Sequence, residues 1–130
     1  MALAARRHGR VPTVPFMTGY RRRLGDLGED LAAAWYVRAG YRVLDRNWRC
    51  DEGEIDLVCR RGSTVVVCEV KTRRSSAFGS PAEAVTATKR LRLRRLAARW
   101  LREHGSRYAE VRFDVASVRG GEVEVLEGAW

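Results

Sequence analysis

The chain has 130 residues, with 25 Lys and Arg against 16 Asp and Glu, a formal net charge of +9 and 45% hydrophobic residues. That length predicts one compact domain, and the hydrophobic share excludes a fully disordered chain. A membrane helix needs about 18 consecutive apolar residues, and the longest apolar run, residues 31–37, is far shorter. The basic balance favours a polyanionic partner, either nucleic acid or an anionic membrane surface.

Cysteine usage and the N-terminus bear on where the protein works. Cys50, Cys59 and Cys68 are odd in number and form no Cys-x-x-Cys pair, so reduced thiols in a cytoplasmic protein are the simplest interpretation. Residues 1–19 contain three arginines, two of the three prolines and no hydrophobic period, which predicts a flexible basic tail. We expect no secretory signal there, and a single domain over residues 20–130.

Hydrophobic periodicity and turn signals predict a mixed α/β domain. A helix is expected over residues 18–39, with Gly40 as its stop signal. Strands are expected at residues 41–49, 54–60, 65–71, 111–118 and 122–126, with turns at residues 62–63 and 120–121. Residues 72–79 are polar and predict a mobile loop. Residues 80–83, Ser-Pro-Ala-Glu, form a capping box that would open a second helix reaching Glu103, with a break allowed near Thr86 or Thr88.

The register of the central hairpin carries the main functional inference. If residues 62–63 form a two-residue loop, Asp56 lies directly opposite Glu69, and Glu54 lies opposite Lys71. Side chains alternate across a strand, so these four share one face, with opposed Cβ atoms about 4.5–5.5 Å apart. The other face is then expected to be wholly apolar, and it comprises Ile55, Leu57, Cys59, Val66, Cys68 and Val70. A three-residue loop would shift the register and break this pairing.

Two directly opposed carboxylates repel each other unless a positive charge lies between them. Mg²⁺ prefers hard oxygen ligands and would satisfy Asp56 and Glu69 together. Lys71 would then place an ammonium group beside the ion, where it could hold a water or a phosphate oxygen. The alternative is a solvated hairpin face on which Lys71 only neutralises Glu54 and Glu69.

The spacing of Asp56 from Glu69-Val70-Lys71 resembles the signature of the PD-(D/E)xK nucleases, which have a restriction-endonuclease-like fold. Glu29, Gly53-Glu54-Ile55-Asp56 and Glu69-Val70-Lys71-Thr72-Arg73 belong to a longer motif string that resembles the YraN-like family of small bacterial proteins. That family is similar to archaeal Holliday-junction resolvases. The resemblance covers residues 23–118. One departure is that Ile55, and not proline, precedes Asp56.

This resemblance implies a restriction-endonuclease-like core, with a mixed β-sheet flanked by helices, and a role for each matching residue. Asp56 and Glu69 would bind Mg²⁺ or Mn²⁺, with the backbone carbonyl of Val70 as a further ligand. Lys71 would orient the attacking water and stabilise charge on the scissile phosphate, and Glu29 would complete the acidic cluster. On a helical wheel Glu29 borders the apolar stripe beside small residues, which predicts a partly buried carboxylate. An ordinary exposed helix glutamate is the alternative.

Basic residues near the motif are candidates for nucleic-acid contact. Arg73 and Arg74 follow the motif lysine and are placed to grip a substrate backbone. Lys89 and Arg90 begin an arginine-rich helix that either tracks phosphates or is simply solvated. Asp114 lies in a strand-like run and is expected at an edge or at the surface.

Three classes of function follow. The leading hypothesis is a metal-dependent DNA endonuclease acting on branched or junction DNA, with a homodimer as one option because the resolvase-like relatives work as dimers. The second is a non-catalytic nucleic-acid-binding module, accessory to recombination or DNA uptake. The third, a membrane-surface protein, would need a basic helix with a continuous apolar face. The arginine-rich helix has an apolar stripe, but packing against the protein core explains that stripe more simply, so no membrane partner is expected.

Overall fold

The computed structural model describes residues 19–73, 85–104, 108 and 110–130, with side chains in the first helix described from Leu27 onward. The predicted tail, all but its last residue, lies outside the described residues. In chain order, the elements are α1 (Gly19–Arg38), β1 (Arg42–Cys50), β2 (Gly53–Arg61), β3 (Thr64–Arg73), α2 (Ala87–His104), β4 (Glu110–Arg119) and β5 (Glu122–Leu126). The predicted α/β class is confirmed.

The five strands form one mixed sheet in the order β1-β2-β3-β4-β5. Only the β3–β4 pair is parallel, and the other three neighbouring pairs are antiparallel. A parallel pair needs a long crossover connection, and α2 lies within the connection from β3 to β4. This arrangement, a mixed sheet flanked by two helices, is consistent with a restriction-endonuclease-like core.

Each face of the sheet is covered by one helix. The α1 face buries Ala32 and Tyr36 of the helix against Leu57, Cys68 and other strand residues. The α2 face buries a separate cluster, and its largest members include Ile55, Val58, Leu93, Leu96 and Trp100. Because both faces of β2 and β3 are covered, their apolar residues run almost continuously along the strand instead of alternating.

Both helices have identifiable end signals. At the end of α1, Gly40 has a φ of 93°, its N–H donates to the Val37 carbonyl at 3.0 Å, and the N–H of Tyr41 donates to the Tyr36 carbonyl at 2.9 Å. This pair of bonds is a Schellman motif. Helix α2 begins at Ala87, and the hydroxyl of Thr86 accepts the N–H of Lys89 at 3.2 Å as an N-cap. The predicted capping box at residues 80–83 lies outside the described residues, and the allowed break near Thr86 is where α2 starts.

Asp114 corrects one prediction. Instead of lying at an edge or at the surface, it sits in the internal strand β4 and is fully buried. Its carboxylate accepts the Tyr36 hydroxyl at 2.6 Å, the Arg112 guanidinium at 2.9 Å and the Gly128 N–H at 3.0 Å. These bonds connect α1, β4 and the C-terminal segment, so the residue is structural.

Within the part of the chain that the structure describes, neither helix is both long enough and apolar enough to traverse a bilayer.

Candidate metal site at the end of the central hairpin

The predicted hairpin register is confirmed over the described ladder. Arg61 pairs with Thr64, and the pairing continues in step to Leu57 opposite Cys68. Gly62 has a φ of 62°, which suits the first position of a two-residue turn. The regular ladder ends at Leu57 and Cys68, so Asp56 and Glu69 are the first residues beyond it and lie where the strands stop pairing.

Asp56 is held at this point by the backbone of the neighbouring strand. Its Oδ2 accepts the N–H of Val70 at 2.9 Å. The pKa of Asp56 is raised to about 8, chiefly by burial and then by the charge of Glu69, while the Val70 hydrogen bond acts in the opposite direction. The carboxyl group therefore lies in a desolvated, electronegative position that favours either a proton or a cation.

Glu69 lies beside it and is almost completely buried, with 6% of the residue exposed. Its Oε2 accepts a hydrogen bond at 2.5 Å from Nζ of Lys89, a residue in the first turn of α2. The sequence predicts that Lys89 either contacts nucleic-acid phosphates or is simply solvated. The structure instead places its ammonium group on a carboxylate that the motif assigns to metal binding.

Glu29 approaches the same position from α1. It is buried, with 8% of the residue exposed, which agrees with the partly buried carboxylate expected and excludes the exposed alternative. Its Oε1 accepts the side-chain N–H of Asn47 at 2.6 Å and lies 3.7 Å from the Arg46 guanidinium. The charge of Glu29 contributes, after that of Glu69, to the raised pKa of Asp56. Helix α1 thus adds a third negative charge near Asp56.

At Asn47 of β1 and Asp56 of β2, the regular alternation of side chains between the two faces of the sheet is interrupted. This phase change shapes the site. Leu57 packs on the α1 face, but Ile55 packs on the α2 face, although residues two apart in a strand normally share a face. In the paired strand, Trp48 lies opposite Ile55 and packs on the α2 face, whereas Arg46 lies opposite Leu57 and bonds to α1. Asn47, between them, has a φ of 50°, which is uncommon for a residue with a side chain.

This phase change corrects two expectations about the hairpin. The predicted apolar face is not continuous, because Ile55 joins the α2 cluster while Leu57, Cys59, Val66 and Cys68 stay on the α1 face. The predicted four-residue polar face is also incomplete. Glu54 is exposed and pairs with Arg49 at 3.0 Å, and the described β2–β3 ladder does not extend to a Glu54–Lys71 pair. Lys71 is half-buried in β3, two residues after Glu69.

The other predicted contact residues are dispersed. Arg73 is the last residue of β3 and lies in register with Arg119 of β4. Arg74 lies outside the described residues. Arg90 is half-buried: its Nε donates to the Val85 carbonyl at 3.1 Å, and its guanidinium lies 5.7 Å from the centre of the Trp130 ring. The predicted loop at residues 72–79 begins later than expected, because β3 includes Thr72 and Arg73.

Asn47 and Gly28 support the site; Gly28 belongs to the same motif string as Glu29, whereas Asn47 is not part of any sequence motif. Asn47 lies inside the predicted strand at residues 41–49 and inside β1, and only the tolerance of asparagine for a positive φ could have suggested a backbone irregularity there. Gly28 packs so closely on β3 that a Cβ atom there would lie 2.2 Å from Oγ1 of Thr72. A glycine inside a helical pattern does signal a close approach, and here that approach places Glu29 next to the end of the hairpin.

Comparison with known proteins agrees with the family resemblance. The model of the uncharacterised protein family UPF0102 matches residues 28–118, a segment that includes Glu29, Asp56, Glu69 and Lys71. A UPF0102 protein of Beutenbergia cavernae is 57% identical over 110 residues, which cover 81% of this chain and 93% of the relative.

Two further relatives match over comparable lengths. A UPF0102 protein of Frankia alni is 56% identical over 112 residues, which cover 82% of this chain and 93% of the relative. A UPF0102 protein of Moorella thermoacetica is 49% identical over 120 residues, which cover 88% of this chain and 100% of the relative. With the family model matching well over half of its length, the chain belongs to the UPF0102 family.

Proposed function

We propose that the protein is a Mg²⁺- or Mn²⁺-dependent DNA endonuclease of the PD-(D/E)xK type. The observation that carries the proposal is the pair of carboxyl groups at the end of the β2–β3 ladder, where burial and the charge of Glu69 raise the pKa of Asp56 to about 8. A raised carboxyl pKa means that negative charge there lacks full compensation. A divalent cation between Asp56 and Glu69 would supply it.

The donor set fits such an ion. Among residues 19–73, 85–104, 108 and 110–130, no three His, Cys, Asp or Glu side chains are gathered closely enough to form a complete ligand cluster. Mg²⁺ does not require one, because it usually keeps several waters and binds through one or two carboxylates plus substrate phosphates. Asp56 and Glu69 would be the two protein ligands, with the Val70 carbonyl as the further ligand that the motif implies.

Each residue of the site then has a separate role in the proposed reaction. A divalent ion held by Asp56 and Glu69 would supply Lewis-acid chemistry, polarising a phosphoryl oxygen and lowering the pKa of the attacking water. Lys71, two residues after Glu69 on β3, orients that water and stabilises charge that builds on the scissile phosphate. Glu29, fixed by Asn47 at 2.6 Å, adds negative potential that increases the attraction for the cation.

Branched DNA is the substrate class that we propose, on the likeness of the motif string to archaeal junction resolvases. On this proposal the protein works in the cytoplasm, and a homodimer would present two sites to a junction with two-fold symmetry. Light scattering of the purified chain with and without a four-way junction measures that stoichiometry.

The test is cleavage of four-way junctions, flaps and single-stranded DNA in Mg²⁺ or Mn²⁺. We expect Asp56→Ala and Lys71→Ala each to reduce the cleavage rate about 100-fold or more, as removal of a group acting in the transition state does. Glu52→Gln, which changes an exposed residue, is the matched control and should cleave like the unmodified protein. Cleavage that the Asp56→Ala/Lys71→Ala double variant retains in full contradicts the proposal.

A binding module that cleaves nothing is the second candidate, favoured by the net charge of +9 and by exposed arginines on α2, among them Arg92, Arg94 and Arg95. It predicts salt-dependent DNA binding that Glu69→Ala leaves unchanged, with no metal-dependent cleavage by any form. The endonuclease predicts that Glu69→Ala abolishes cleavage and keeps most of the binding. Gel-shift and cleavage assays on the same preparations separate the two.

A further inference from the structure

The contact between Lys89 and Glu69 places a cation of the protein itself at the proposed metal site. Nζ of Lys89 lies 2.5 Å from Oε2 of Glu69, whose side chain is 7% exposed. The backbone of Lys89 is fixed by the Thr86 cap at the start of α2. Its side chain, 34% exposed, has solvent on one side and the acidic group on the other.

The position of Lys89 is not explained by the helix that carries it. The N-terminus of a helix carries a partial positive charge, so acidic side chains are favoured in the first turn and basic ones are disfavoured. The first turn of α2 holds no acidic residue, and Lys89 lies within it. What stabilises the ammonium group there is Glu69, a residue of another element.

Lys89 balances only part of the negative charge in the site. It bonds to Glu69, while the described polar partner of Asp56 is the N–H of Val70. A divalent cation that reached both carboxylates would have to approach the oxygen that Lys89 occupies, and two positive charges so close repel strongly away from bulk water.

We propose that Lys89 is an internal counter-ion that holds Glu69 in the metal-free protein, and that a divalent cation binds at Asp56 and Glu69 in competition with it. This inference rests on the metal site of the proposed function. Metal capture releases the ammonium group, whose flexible four-carbon stem lets it turn toward solvent or toward a phosphate oxygen of bound DNA. Lys89 thereby sets the affinity of the site for metal.

The test is Mn²⁺ binding to the full chain by titration calorimetry, without DNA. We expect Lys89→Met to bind Mn²⁺ about 5- to 30-fold more tightly than the unmodified protein, because the competitor is gone. Lys89→Arg keeps the charge and should stay within about 3-fold. Arg102→Met is the control, since it removes one exposed charge from the same helix and should change the affinity less than about 2-fold. Circular dichroism establishes that each variant is folded.

The outcomes separate this inference from the proposed function. Unchanged or weaker Mn²⁺ binding by Lys89→Met overturns the competition, even if cleavage depends on Asp56. Tighter binding by Lys89→Met without cleavage of any DNA by the unmodified protein supports the competition and contradicts the endonuclease. If neither the unmodified protein nor Lys89→Met binds Mn²⁺, both proposals fail. If only Lys89→Met binds it, the competition is supported in its strongest form.

Discussion

The carboxyl group of Asp56 has a single described hydrogen-bond partner, the Val70 N–H at 2.9 Å, and three acidic neighbours that raise its pKa. An ordinary aspartate has a pKa of 3.8, whereas burial and the neighbouring carboxylates raise the pKa of Asp56 to about 8. An amide could keep the bond to Val70 without the charge. A charge on Asp56 therefore costs the fold stability, which supports the cation site that we propose at Asp56 and Glu69.

The first prediction concerns the pH dependence of stability. Because the pKa of Asp56 is higher in the folded chain than in the unfolded one, its favourable contribution is complete below about pH 4 and is lost as the pH rises to about 8. Asp56→Asn removes this loss. Between pH 5.5 and a pKa of about 8 the unmodified protein loses about 3 kcal/mol, at about 1.36 kcal/mol for each pH unit. We therefore expect the difference in melting temperature between the variant and the unmodified protein to be larger at pH 8.5 than at pH 5.5 by about 10 °C or more, without divalent ions.

Glu52→Gln is the control for this measurement, because Glu52 is exposed and the difference in its melting temperature should not depend on pH. Differential scanning calorimetry in the presence of a chelator gives the values. A constant difference between Asp56→Asn and the unmodified protein at both pH values contradicts the raised pKa.

At the scale of elements, the contact between α1 and β3 determines how close Glu29 comes to the hairpin. Gly28 lies against the hydroxyl of Thr72, where a Cβ atom would be only 2.2 Å from Oγ1 but 3.5 Å from Cβ of Thr72. The helix therefore approaches the strand as closely as a glycine and a threonine permit. Any side chain at residue 28 must move either Thr72 or the helix.

This packing predicts that a second substitution, in Thr72, restores the stability lost by a substitution in Gly28. Gly28→Ala should lower the free energy of unfolding by about 1–3 kcal/mol, as overpacking does. The double variant Gly28→Ala/Thr72→Ala should regain most of that loss, because the remaining contact is an ordinary 3.5 Å and alanine is a better helix former than glycine. Urea denaturation of both single variants and the double variant measures the coupling. Additive effects of the two substitutions would contradict the close contact.

The central hairpin shows which structural features can be predicted from sequence patterns and which cannot. Its turn and register were predictable, because a glycine that can adopt a positive φ at residue 62 fixes the loop length, and the loop length fixes each opposed pair. The phase change at Asn47 was not predictable, because a backbone irregularity in one residue leaves the hydrophobic pattern almost intact. The Lys89–Glu69 pair was also missed, since the partners are 20 residues apart in different elements.

For the whole molecule, Asp114 connects parts that are distant in sequence. It joins Tyr36 of α1, Arg112 of β4 and Gly128 near the C-terminus, and it has no exposed surface. Removing one member of a buried ion pair leaves the other charge uncompensated. The class of fold could be predicted from local patterns, but this network depends on tertiary contacts and appeared in the sequence only as an aspartate in an apolar strand.

The corresponding prediction compares two substitutions in this network. Asp114→Asn should lower the free energy of unfolding by about 3 kcal/mol or more, because it weakens the bonds to Arg112 and leaves that guanidinium with only the more distant and half-exposed Glu127, at 3.8 Å, as a charged partner. Tyr36→Phe removes a single hydroxyl donor and should cost about 1–2 kcal/mol. Equilibrium urea unfolding monitored by tryptophan fluorescence compares them. Equal losses for the two variants would mean that the ion pair adds nothing beyond the hydrogen bond.

Lysine is rare in this chain: of 25 basic residues only Lys71 and Lys89 are lysines. Both adjoin Glu69, one two residues further along β3 and the other in contact with its carboxylate. An amine-selective label, such as reductive ¹³C-methylation, therefore places its side-chain probes only at the proposed site, with the chain's N-terminal amine as an internal reference. Two NMR signals would report metal capture directly, in the natural sequence and without any substitution.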